Sequence, residues 1–168
     1  HTTSTDKLEE EGMDLLWPYL EGRIGRSPYP EPRLEDRPYE CWRLDPRDTF
    51  INLHVWNLYR PKSPLSEMWV PFSAALIRLL KDARALYPRV ELAQCSSWLN
   101  SAPRFQQLFP PSWLEDTVPR PATGFTMGYW GQFRDRTGRF HERNGARFRE
   151  IGEFPYRSMI CSCPAKDI

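Results

Sequence analysis

At 168 residues, with 40 % hydrophobic and 14 % aromatic side chains and seven tryptophans, the chain has the length of one domain and enough apolar material for a substantial core. Its 23 basic and 22 acidic residues leave a net charge of +1, which excludes a nucleic-acid module driven by bulk charge, since such domains are strongly basic. No apolar run approaches the roughly 18 residues of a membrane span, and the N-terminal residues show no basic-then-apolar leader, so a cytoplasmic setting away from membranes is expected.

Residues 6–22 read as a helix with an acidic first turn, an apolar stripe through Leu8, Met13, Leu16, Trp17 and Leu20, and a break at Pro18. Residues 25–38 hold four of the 17 prolines and form a connector. A hairpin follows, with strands over 39–44 and 49–58 and a turn at Asp45-Pro46-Arg47-Asp48. The second strand, within Asp48–Asn57, has a purely aliphatic face of Ile51, Leu53 and Val55. Its other face carries Phe50, Asn52, His54 and Trp56, the mixture of aromatic and polar groups expected of a pocket floor.

Apolar residues at three- and four-residue spacing predict a helix over 67–87 with Ser66 as its N-cap. A strand over 90–98 completes a strand–helix–strand unit. Ser101 then caps a short helix over 102–109 with Pro103 in its first turn. Alternation at Phe125, Met127, Tyr129 and Phe133 predicts a strand over 125–133, with Trp130 and Gln132 on its other face. A helix over 140–151 ends at Gly152, and a last strand spans 156–163. These elements predict a single α/β (α+β) domain with a mixed five-stranded sheet and flanking helices, its core over 39–163.

The chemistry is expected around His54, the one histidine in a strong strand pattern, as a general base near neutral pH. Ser97 or Cys95, at the end of the next strand, is a candidate nucleophile if His54 reaches it. Asn52, Trp56, Trp130 and Gln132 are candidate substrate-binding residues. His141 is expected to be a surface or cap residue, and Arg136, Arg139, Arg143 and Arg147 form a basic helical edge suited to an anion. Cys41, Cys95, Cys161 and Cys163 lack metal-ligand spacing, so reduced thiols and no metal are expected. The G-x-S-x-G elbow, P-loop, dinucleotide fingerprint and HExxH motif do not occur.

The run INLHVWN, the long helix, and CSSWLNSAPRFQQLFPPSW together resemble the C-terminal domain of bacterial GNAT-like acyltransferases. His54 matches that family's strand histidine, and Cys95, Ser97, Trp98 and Leu99 match its second motif; Ser96, Asn100 and Ser101 differ. Over residues 48–163 the resemblance implies a mixed sheet like that of acyl-CoA N-acyltransferases, acyl-CoA as the donor, and acyl transfer to a small molecule such as a secondary metabolite. The Q/R-x-x-G-x-G/A pyrophosphate turn of that fold does not occur in this sequence. Two other readings stand beside it. One is a cofactor-free tailoring enzyme for cyclisation, elimination or hydrolysis; the other is a non-catalytic metabolite-binding subunit acting as a homodimer or with a partner protein.

Overall fold

The structure, a computed structural model, describes residues 34–120 and 127–168. The helix expected over 6–22 and most of the 25–38 connector lie outside the described residues. Five strands form one mixed sheet: β1 (Trp42–Pro46), β2 (Phe50–Val55), β3 (Leu92–Ser97), β4 (Val118–Pro119) and β5 (Met159–Pro164), in the order β1-β2-β3-β5-β4. Only β2 and β3 are parallel; the other neighbours are antiparallel.

The hairpin sits slightly later in the chain than the sequence suggests. Residues 38–41 are a turn in which Glu40 takes φ 55°, a left-handed conformation that a strand cannot absorb. Asp45 and Pro46 belong to β1, where proline is tolerated because the strand is at the sheet edge. The turn narrows to Arg47–Thr49, closed by Arg47 N donating to Phe50 O at 2.8 Å.

Helix α1 (Trp69–Leu86) joins the parallel strands and covers one face of the sheet. Phe72, Ala75, Leu76, Leu79, Leu80 and Ala83 are buried at the expected three- and four-residue spacing. Leu86, expected inside, is 67 % exposed in the last turn. Ser66 does not cap the helix: Met68 holds the cap position without a side-chain bond, and the Ser66 hydroxyl goes to the Glu67 carboxylate instead. Pro71 fits because first-turn N–H groups have no intrahelical partner to lose.

Register fixes what this face contains. Trp42 pairs with Val55, Ile51 with Ala93, Leu53 with Cys95, and Cys95 with Cys161, so these side chains point towards α1. Trp42 stacks on Phe72 at 4.7 Å, and its Nε1 donates to Phe72 O at 2.9 Å. Beyond them α2 (Pro103–Gln106), a 3₁₀ turn at Pro111–Leu114 and the bend between them supply Phe105, Trp113 and Phe109; Phe109 and Trp113 stack at 3.7 Å. Each such ring or aliphatic chain, fully buried, contributes roughly 1.5–3 kcal/mol.

The strand expected over 125–133 is not formed. Helix α3 (Met127–Trp130) runs into a 3₁₀ turn at Gly131–Phe133, and the edge position in the sheet is taken by β4, which pairs Val118 with Ile160 and Pro119 with Met159. Helical turns bring Tyr129, Trp130 and Phe133 onto a shared cluster with Phe154. The alternation that suggested a strand fails at Gly131. Helix α4 (Glu142–Ile151) follows, with His141 as N-cap accepting Asn144 N–H on Nδ1 at 3.3 Å and Gly152 at φ 68° as its terminator. Phe148 is half-buried as expected, whereas Phe140 and Ile151 are about half exposed.

Candidate functional site: the open face of the sheet

Alternation along each strand sends every second side chain to the face opposite α1. There the register makes a polar row across four strands: Asp45 beside Asn52, Asn52 beside Gln94, Gln94 beside Ser162. A second row starts with Arg43 beside His54 and continues with Ser96 on β3 beside Ile160 on β5, which in turn pairs with Val118 on β4. His54 and Arg43 are exposed, and Asn52, Gln94, Ser96 and Ser162 are half-buried.

Asn52 and His54, two residues apart on β2, lean together, with Asn52 Nδ2 at 3.4 Å from His54 Nε2. Asn52 Oδ1 is buried without a hydrogen-bond partner, the one such side-chain atom among the described residues. Turning the amide over exchanges the roles of its two ends and still leaves one polar atom unmatched. A shielded, unmatched amide has a cost, and each such group in a native protein calls for an explanation, a functional role among them. Ser96 Oγ accepts from Arg120 Nη1 at 3.0 Å, and Arg120 is itself tied down by its backbone N–H to Ser158 O.

The parallel ladder ends early. β2 and β3 pair from Phe50–Leu92 to Leu53–Cys95, yet each runs two residues further on the strength of its outer neighbour, Val55 against Trp42 and Ser97 against Met159. His54 and Ser96 stand where the two carboxyl ends are no longer joined.

Of the residues expected from sequence, the structure brings Asn52 and His54 together on this face. Ser97 and Cys95 point to the opposite face. Ser97 Oγ accepts from Leu99 N at 3.1 Å and caps the 3₁₀ turn at Trp98–Ser101. Cys95 is 1 % exposed, and burial pushes its thiol up to about 12, far from the thiolate that nucleophilic attack needs. Gln132 is buried and its amide fully engaged: Nε2 donates to Tyr129 O and Tyr156 O, and Oε1 accepts from Tyr156 N at 2.9 Å. Trp130 packs among Phe133, Phe148 and Phe154. Trp56, just beyond β2, is 54 % exposed. Of the basic edge, Arg136 is paired with Glu67.

Sequence reasoning missed Ser96, Arg120, Gln94 and Arg43. Taking Cys95 as a core residue would have put Ser96 on His54's side by parity. Arg120 depends on β4, which has no strand signature in two residues. Among the described residues no group of three or more His, Cys, Asp and Glu is placed to hold a metal, and no helix is long and apolar enough to cross a membrane.

The fold and site thus define a mixed α/β protein in which, among the described residues, one sheet face is covered by a helix and the other is left open. No protein-family model matches the chain, no curated protein is significantly similar to it, and no solved structure matches its fold.

Proposed function

We propose that the chain is a small enzyme with a GNAT-like scaffold that transfers an acyl group from acyl-CoA to an amine or hydroxyl of a small molecule, at the open face where β2 and β3 part. The observation that carries this reading is the early end of the parallel ladder with His54 and the unmatched Asn52 amide beside it. In open α/β sheets ligands bind outside the carboxyl ends of parallel strands, where connections diverge. The resemblance through INLHVWN and CSSWLN concerns the same two strands.

Acyl-CoA supplies the activated thioester. His54 is exposed and takes the proton that the acceptor nitrogen or oxygen sheds as it bonds to the acyl carbon; the proton then goes to the departing thiolate. Asn52, whose amide lies 3.4 Å from His54 Nε2, keeps the imidazole in place while it does so. With no glycine turn for the diphosphate, the exposed Arg60 and Lys62 in the loop between β2 and α1 supply the positive charge.

The test is thermal unfolding with acetyl-CoA and longer acyl-CoAs. A ligand present at about 100 times its Kd stabilises the native state by about 2.7 kcal/mol, which raises the Tm by roughly 5–10 °C in a chain of this size. An unchanged Tm across the panel sinks the acyl-transfer reading.

A further inference from the structure

A second region shares no residue with the His54 face. Trp130, Phe133, Phe140, Gly145 and Phe148, together with Arg134 and Arg149, line a hollow of about 460 Å³. That volume falls within the roughly 300–1,000 Å³ of small-molecule sites. The rings behind it form a rigid edge-to-face cluster: Phe133 on Phe148 at 5.5 Å and 80°, Phe148 on Phe154 at 5.1 Å and 64°.

Two features set the hollow apart from ordinary packing. Gly145 is buried inside α4, where glycine is unfavourable by about 1 kcal/mol relative to alanine. A Cβ there would come within 2.1 Å of Phe140 Cζ. Only glycine lets the Phe140 ring lie across the helix, yet the ring so placed remains 50 % exposed and forms one wall of the hollow. The second feature is charge. Residues 134–149 hold six arginines against Asp135 and Glu142, in a chain whose net charge is only +1. Asp135 turns its carboxylate inwards to Thr137 and Arg139 N–H, and Arg136 is engaged by Glu67. Arg134 uses Nε on Gly138 O, which holds its guanidinium beside the aromatic wall.

We infer that this hollow is a binding site for a small aromatic carboxylate. The flat body lies against Phe140 and Trp130, and the carboxylate is received by Arg134 and Arg149, whose forked donors match its two oxygens. The occupant is aromatic because most of the lining is rings, and anionic because the other lining side chains are two arginines. This inference stands whether or not the chain uses acyl-CoA.

Calorimetric titration of the full chain with 2-naphthoate, with the neutral 2-naphthalenemethanol and with inorganic phosphate alone tests it. Saturable one-to-one binding of 2-naphthoate is expected, with the alcohol and phosphate each at least about tenfold weaker, since a charge-assisted hydrogen bond is worth about that factor or more. Arg149→Gln changes an exposed side chain, and its melting curve should match the parent while 2-naphthoate affinity falls about tenfold or more. Phe140→Leu should weaken 2-naphthoate and leave phosphate unaffected. No saturable binding of 2-naphthoate, equal binding of the alcohol, equal binding of phosphate, or an Arg149→Gln variant of unaltered affinity would each overturn the assignment.

Discussion

The two faces of the sheet are made by the same strands and share almost no chemistry. On β2, Ile51 and Leu53 are each 1 % exposed and belong to the hydrophobic core, while Asn52 and His54, one residue away, look outwards. The α1 side is closed by stacked rings and by the buried amide of Asn100, whose Nδ2 donates to Cys95 O and Met159 O while Oδ1 accepts from Trp113 Nε1. The other side keeps an unmatched Asn52 amide and a ladder that stops before its strands do. Satisfied groups hold a fold together; the unsatisfied ones are where a ligand has something to gain.

The comparison breaks most visibly on the covered side. Trp113→Ala should cost about 3–5 kcal/mol in urea unfolding, because it removes a fully buried ring from its stack on Phe109; a loss under about 1 kcal/mol would mean that this face is loosely packed. Asn100→Leu should cost about 2–4 kcal/mol, since it leaves the Trp113 N–H and two carbonyls without their partner.

The thiols sharpen the contrast through pH. Burial raises Cys95 and Cys163 from 9.0 to about 12. Above pH 9 the unfolded chain therefore releases protons that the folded chain retains. This contribution to stability is complete below pH 9 and is lost as pH rises towards 12. The urea midpoint should fall steadily over that window, and a thiol reagent at pH 8 should label none of Cys41, Cys95, Cys161 and Cys163 until denaturant is added. Rapid labelling of the native chain would contradict the burial.

Much of this division is legible in the sequence. The β2 alternation and the α1 spacing give both faces directly, because burial imposes periods of 2 and 3.6 on the residues themselves. His141 and Gly152 mark the ends of α4 through local capping chemistry. What is not legible depends on distant partners. Parity puts Ser96 on the face of His54, but the parallel register that sets the two level is fixed by residues some forty positions apart. Residues 127–133 alternate like a strand, but they coil because Gln132 supplies from its side chain the bonds to Tyr129 and Tyr156 that a neighbouring strand would otherwise provide.

On the open side the expected effects on stability are small and of different sign. Asn52→Val removes an amide with an unmatched end, so it should be neutral or stabilising by up to about 1 kcal/mol while lowering turnover, because His54 loses the amide beside its ring. His54→Ala, at an exposed position, should change stability by no more than about 0.5 kcal/mol.

The most direct test is CoA release from acyl-CoA in the presence of a panel of amines and alcohols, compared between the parent chain and His54→Ala at matched Tm. The account predicts turnover in the parent and a loss of about 10²–10⁴-fold in the variant, the range for a general base, with acyl-CoA affinity retained. Equal turnover in the two proteins would contradict it and remove His54 from the chemistry.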